Sequence, residues 1–176
     1  LPLAADFNAL KHTGPGTIQI DHNNTISGKG SILLKTPTSL PKKNPTNRAY
    51  AFAEVIKPLK GEDLRGYNRF SVWVYADGPG FYSFFVGCTL YNGGKHIMPT
   101  PGRFEGQHFV NVYPDKWQHI IWEIPDLYRA SVTGFSVSIM LPGSPQGAAD
   151  SMKLYITEMR IEKVEAENTR GFNLRQ

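Results

Sequence analysis

The sequence predicts an all-β, antiparallel sandwich in one domain. Apolar and polar residues alternate at period two in a series of short runs, and clusters of Gly, Pro, Asn and Asp separate those runs. There is no internal repeat and no long amphipathic helical stretch, so half-buried strands joined by turns account for the chain best. A length of 176 residues suits one domain with a full core and is too short for two ordinary ones.

The elements follow in order. Thr17 to Asp21 alternates, the polar turn His22-Asn23-Asn24 follows, and Ser31 to Leu34 forms a second run. Gly28 and Gly30 supply the permissive backbone between them. Residues 36–48 hold three prolines without periodicity, which predicts an exposed loop. Ala49 to Ile56 is extended again, and Leu59 to Tyr67 is expected to be a turn.

Asn68 to Ala76 is a central strand, with Phe70, Val72 and Val74 on one side and Ser71, Trp73 and Tyr75 on the other. Asp77-Gly78-Pro79-Gly80 breaks it, and Phe81 to Tyr91 returns. The connection is too short for a crossover, so an antiparallel pair is expected. On the returning strand Tyr82, Phe84, Val86, Cys88 and Leu90 are the expected core set. Residues 92–107 are rich in Gly and Pro and read as a long loop, and His108 to Val112 begins the next strand.

Trp117 to Ile124 is a strand that ends at Pro125 in a short turn, Asp126-Leu127-Tyr128-Arg129. Val132 to Leu141 and Met152 to Ile161 alternate on either side of the breaker Pro142-Gly143-Ser144-Pro145. Periodicity stops after Val164, which divides the chain into a sandwich, 1–164, and a polar tail or linker, 165–176. Phe172 and Leu174 are apolar within that hydrophilic tail, as expected if the natural chain continues into a further domain against which they pack.

The order of these pieces resembles a known family. A Trp opening a strand that ends at Pro125-Asp126-Leu127, then a Thr133-Gly134-Phe135 strand, then Leu154-Tyr155-Ile156-Thr157-Glu158 is similar to the C-terminal half of galactose-binding-like jelly rolls. Asp6-Phe7-Asn8 and the run Gly28 to Leu34 resemble that family's N-terminal pieces, so the likeness spans about residues 6–164. Such sandwiches serve as carbohydrate-binding modules appended to bacterial polysaccharide-degrading enzymes. The resemblance implies a non-catalytic module that binds a polysaccharide or oligosaccharide, with a catalytic glycoside hydrolase or lyase domain C-terminal to it. It also implies a secreted, periplasmic or cell-surface location.

Composition bounds the partners. A formal charge of +4 is spread over dispersed Lys and Arg without a block of like charges, so no nucleic-acid partner is indicated. No run approaches the roughly 20 apolar residues of a membrane helix. Cys88 is the one cysteine and lies in an apolar strand, as a core filler would.

A sugar site needs aromatic planes for stacking and planar polar groups for paired hydrogen bonds. Alternation places Trp73, Tyr75, Phe85, Thr89, Tyr91, Asn111, His119 and Ser138 away from the core, which predicts one platform built from neighbouring strands. The competing reading makes that face simply the other side of the core, or puts it under the long loop or against a neighbouring domain. Asn92, His96, Arg103 and Phe104 on the loop 92–107 form a second candidate, with Arg103 the residue carried forward as a sugar contact.

By resemblance alone, a structural Ca²⁺ would lie between the N-terminal segment, the loop before Gly28 and Glu158 of the last strand. Asn8 stands where the family has Glu, and the loop Asn23 to Gly28 carries no carboxylate, so Glu158 as an exposed strand residue is preferred and no other cofactor is expected. Catalytic signatures are missing: there is no Gly-x-Ser-x-Gly, no phosphate-binding glycine loop and no His/Cys pair at zinc spacing. The alternatives to a binding module are an accessory domain that packs dry against a catalytic domain, and a jelly-roll lyase or hydrolase with two convergent carboxyls.

Overall fold

The structure is a computed structural model that describes residues 11–13, 17–36, 50–77, 84–93, 95–97, 110–123, 129–142 and 152–163. Eleven strands are described: β1 (Lys11–Thr13), β2 (Thr17–Asp21), β3 (Ser31–Thr36), β4 (Tyr50–Glu62), β5 (Arg69–Asp77), β6 (Phe84–Asn92), β7 (Lys95–Ile97), β8 (Val110–Val112), β9 (Trp117–Glu123), β10 (Val132–Pro142) and β11 (Met152–Glu162). A 3₁₀ turn, Arg129–Ser131, leads into β10. The strands form two antiparallel sheets: a five-stranded one in the order β2-β3-β11-β5-β9, and a six-stranded one in the order β1-β4-β10-β6-β7 with β8 also on β6.

The core lies between the sheets and follows the alternation of the sequence. Phe70, Val72 and Val74 of β5 and Ile120 and Trp122 of β9 face Val86, Cys88 and Leu90 of β6 and Phe135, Val137 and Ile139 of β10. The side chains of Tyr82 and Phe84, expected beside them, lie outside the described residues. Phe70 is the hinge of this packing, stacked on Trp122 within its own sheet and tilted against Phe135 of the other. Burial of the Cys88 thiol raises its pKa well above the ordinary value, consistent with a space-filling role.

Three expectations are corrected. β5 and β6 do not pair: β5 lies between β11 and β9, and β6 joins β10, β7 and β8 in the other sheet. A short connection excludes a same-sheet crossover but not a passage from one sheet to the other, since packed sheets lie only ~10 Å apart. Each strand keeps its predicted inner face, while its partners change.

The expected turn at 59–67 is shorter, because β4 runs on to Glu62. β1 pairs with β4 only over Glu54–Ile56, so Pro58 meets β10 alone among the described residues and costs no second ladder bond. Gly61, at φ +83°, lets the strand bend opposite the register shift between Val132 and Gly134. The turn proper follows, with the Asp63 carboxylate accepting the Arg65 backbone N–H at 3.0 Å and Leu64 buried as its anchor.

The loop expected at 92–107 begins as a hairpin instead. Asn92 pairs with Lys95 and Tyr91 with His96 across a two-residue connection, and Gly93 adopts φ +54° as such tight turns require. Arg103 and Phe104 lie outside the described residues, as do Asn8 and the tail 165–176. Among the described residues no helix is long and apolar enough to cross a membrane.

Candidate functional site

The register divides the predicted platform between the two outer faces of the sandwich. Trp73, Tyr75 and His119 lie on the five-stranded sheet; Phe85, Thr89, Tyr91, Asn111 and Ser138 lie on the six-stranded sheet. Alternation gave the outward direction of each side chain. It could not say which sheet the strand joins, so residues on opposite surfaces were grouped as one site.

On the six-stranded sheet, β10 runs between β4 and β6 and sets up successive cross-strand rungs. Gly134 sits between Pro58 and Tyr91, Ser136 between Ile56 and Thr89, and Ser138 between Glu54 and Gly87. The next rung brings Phe85 opposite Met140, and β8 sets Asn111 beside Phe85. Gly134, Ser136 and Ser138 of β10, with Gly87 of β6, keep the middle of this face low between Glu54, Ile56 and Pro58 of β4 and Thr89 and Tyr91 of β6.

That floor is polar although it is shielded from solvent. Glu54 is 6% exposed, Thr89 5%, Ser138 2% and Ser136 fully buried. The Tyr91 hydroxyl donates a hydrogen bond to Glu54 Oε1. Burial, the Glu54 bond and the negative charge of that carboxylate together push the Tyr91 phenol far above its ordinary pKa. Ser136 offsets part of that rise through a hydrogen-bonding contact with the phenol, although its Oγ reaches no partner at full hydrogen-bond geometry. A fully buried hydroxyl so poorly satisfied on an outer sheet face is a group that a bound molecule or water could satisfy.

On the five-stranded sheet the outer face is aromatic. Trp73 stacks on His119 across the β5–β9 ladder, with centroids 4.8 Å apart and planes 14° apart. Tyr75 touches both Trp117, at 5.6 Å, and Tyr155, at 6.0 Å. Polar groups border this row: Lys153 Nζ pairs with Asp77 at 3.3 Å at one end, and Arg160 Nη2 with Glu158 Oε2 at 2.9 Å at the other.

Glu158 owes its position to a bulge. The register of β11 on β5 shifts between Thr157 and Arg160, and Glu158 takes φ +52° there. A left-handed backbone costs a residue with a side chain about 1–2 kcal/mol, so the fold holds this carboxylate in place against a local preference. Arg160 chiefly, and a hydrogen bond from Ser27, keep its pKa below the ordinary carboxylate value.

The described residues do not fit a divalent cation at Glu158. Its charge is already met by Arg160, with Lys29 adding to that effect. The Asp21 carboxylate caps its own turn, accepting the N–H groups of Asn23 at 3.0 Å and Asn24 at 2.7 Å. Among the described residues no three His, Cys, Asp or Glu side chains gather as a metal site.

The residue that sequence reasoning missed is Glu54. Its signal was present: it is the one acid in the otherwise apolar run Tyr50 to Ile56, and a lone carboxylate there must be paired or solvated. Trp117, Tyr155 and Arg160 were passed over because their neighbours are set by long-range ladders rather than by spacing.

No family model matches the chain, and no curated protein matches it. Among solved structures, the fold is similar to the C-terminal family 22 carbohydrate-binding module of Clostridium thermocellum Xyn10B, at 15% identity over 94% of this chain and 92% of that one, with a TM-score of 0.52. It is similar to the family 11 carbohydrate-binding module of Clostridium thermocellum in complex with a β-1,3-1,4-mixed-linked tetrasaccharide, at 12% identity over 93% and 94%, with a TM-score of 0.53. It also matches part of an exo-β-agarase at 11% identity, covering 90% of this chain and 23% of that one, with a TM-score of 0.55. At such identities the likeness is one of architecture: the chain folds as a jelly-roll β-sandwich of the kind seen in carbohydrate-binding modules.

Proposed function

We propose that this chain is a non-catalytic carbohydrate-binding module that holds an attached glycoside hydrolase or lyase on its polysaccharide substrate. The observation that carries the reading is the polar, recessed floor of β4, β10 and β6, where Glu54, Thr89, Ser136 and Ser138 are buried on an outer face beside Tyr91. Sugar hydroxyls need such donors and acceptors close to an aromatic wall, and Phe85, Tyr91 and Asn111 stand at its side. Trp73, Tyr75 and His119 belong to the opposite surface and Arg103 lies outside the described residues, so the groove is assigned to the six-stranded sheet.

Tethering raises the local concentration of a catalytic partner at its substrate. The match to under a quarter of an exo-β-agarase chain supports such a sandwich as one part of a larger enzyme. A catalytic domain C-terminal to residue 176 and export to the cell surface or medium, where polysaccharides lie, complete the proposal.

The alternatives fit less well. An accessory domain packing dry against its neighbour calls for an apolar surface around Trp73, and there Glu158, Arg160, Glu162 and His119 surround the indole. A hydrolase needs one carboxyl protonated near neutral pH as the acid besides an ionised partner, and Arg160, by lowering the pKa of Glu158, takes the acid role away from it.

Affinity electrophoresis and titration calorimetry against xylans, mixed-linkage glucans, galactans and agarose test the groove. Retardation by at least one glycan, abolished by Ser136→Leu in a folded variant, is the expected result. No retardation by any of them overturns the proposal.

A further inference from the structure

We infer that a second sugar site lies on the five-stranded sheet, a pocket of about 170 Å³ that takes one uncharged pyranose unit and is lined by Ser71, Trp73, His119, Glu158, Arg160 and Glu162. The position stands on geometry alone, and the sugar class rests on the carbohydrate-binding reading. The two sites are on opposite outer faces, separated by the core.

Register builds the pocket. β5 lies between β9 and β11, so Trp73 is flanked by His119 and Thr157, and the neighbouring outward residue Ser71 is flanked by Ile121 and Arg160. Ser71 is small and buried, which makes it the floor of a depression whose wall is Trp73. The stack on His119 fixes the indole before any ligand arrives, and a ring already held still loses little freedom when it binds.

The bulge supplies the polar side. Without a register shift, Glu158 would follow the alternation of β11 and point into the core. With the shift between Thr157 and Arg160 its carboxylate lines the pocket, oriented by Arg160 at 2.9 Å. Bulges that re-aim a side chain are over-represented beside functional sites. A carboxylate and a guanidinium held together offer acceptors and donors to adjacent hydroxyls, with the indole face available to ring C–H groups.

Size and charge narrow the ligand. A volume of about 170 Å³ is below the ~300–1,000 Å³ of pockets that enclose drug-sized molecules, so one ring fits and a chain does not. Of the charged side chains that line the pocket, Glu158 and Glu162 outnumber Arg160. The lining therefore holds no surplus of positive charge to reward a carboxylated or sulfated sugar. A module with a chain-binding groove on one face and a single-ring pocket on the other could join a polysaccharide backbone to a side branch or to a second chain.

Nuclear magnetic resonance titration with xylose, glucose, galactose and glucuronate, following the Trp73 indole and Arg160 side-chain signals, tests the pocket. At least one neutral monosaccharide should shift both signals saturably, with glucuronate binding no tighter. Ser71→Val should abolish that response, and Arg160→Ala, at an exposed position, should weaken it by about tenfold or more. Ser136→Leu, in the groove, should leave it unchanged. The inference is overturned if none of the neutral sugars gives a saturable shift, or if the response persists in folded Ser71→Val and Arg160→Ala variants. Retention of polysaccharide by Ser136→Leu would count against the groove alone.

Discussion

Phe70 of β5 and Phe135 of β10 meet across the interior with ring centroids 4.1 Å apart and planes tilted by 59°, joining one sheet to the other. Trp122 stacks on Phe70 at 5.4 Å from the neighbouring strand. All three rings lie in the buried core. Phe70→Ala should therefore lower unfolding stability by about 3–5 kcal/mol. Trp73→Ala, on the half-buried outer face of the same strand, should cost only about 1–2 kcal/mol, because much of that ring's area stays in contact with water. Urea melts of the two variants check the assignment of inner and outer faces, and equal costs would contradict it.

Tyr91 and Glu54 predict an alkaline effect. Burial first, then the bond to Glu54, raise the Tyr91 pKa above its ordinary value of 10.0. The folded state thus prefers the neutral phenol, and the associated stability is fully present below about pH 10 and lost as pH rises toward the folded value. Tyr91→Phe should flatten the fall in melting temperature above pH 10 and lower the plateau at neutral pH through the lost hydrogen bond. A slope identical to wild type would mean that the phenol ionises as freely in the fold as outside it.

Glu158 acts in the opposite sense. Arg160 and Ser27 hold its pKa below the ordinary 4.5, so the stability it contributes is present above about pH 4.5 and is lost as pH falls through the lower, folded value. Glu158→Gln should remove part of the acid-side slope. Asp63 lies in the same window, brought to about 2 by Arg65, but this pair is on the surface and its effect should fade in high salt. Melting temperatures from pH 2 to 7 in low and high salt distinguish the two carboxylates.

The strands were legible because alternation is a local property. Phe70, Val72 and Val74 against Ser71, Trp73 and Tyr75 can be read from nine residues without knowing any neighbour. Sheet membership is not local: β5 and β6 have the same period whether they pair side by side or face each other across a core. That is why Trp73 and Phe85 were both read correctly as outward and yet lie on different surfaces. The Glu158 bulge was hidden for a related reason. A Glu gives no hint of a positive φ, where a Gly would have, and the shift shows only in the pairing of β11 with β5.

Two glycines in the loop between β2 and β3 separate strain from crowding. Gly28 has φ +74° with nothing within 4 Å of where a Cβ would stand, whereas Gly30 has φ +92° and its Cβ would meet the Asp21 carbonyl oxygen at 3.2 Å and His22 Nδ1 at 3.3 Å. The Gly30 carbonyl also accepts hydrogen bonds from Thr157 Oγ1 at 3.2 Å and Thr25 Oγ1 at 3.4 Å, tying the loop to the strand just before the Glu158 bulge. Gly28→Ala should accordingly cost about 1–2 kcal/mol, the backbone penalty by itself. Gly30→Ala should cost more, about 2–4 kcal/mol, because the imidazole can swing aside but the Asp21 carbonyl belongs to β2 and moves only with its strand. Since Thr157 neighbours Glu158 in the chain, Gly30→Ala should also disturb the Arg160 side-chain resonance while Gly28→Ala leaves it in place. Chemical denaturation and the Arg160 signal together check the pair, and equal costs with an unmoved Arg160 signal would show that the loop yields without passing strain to β11.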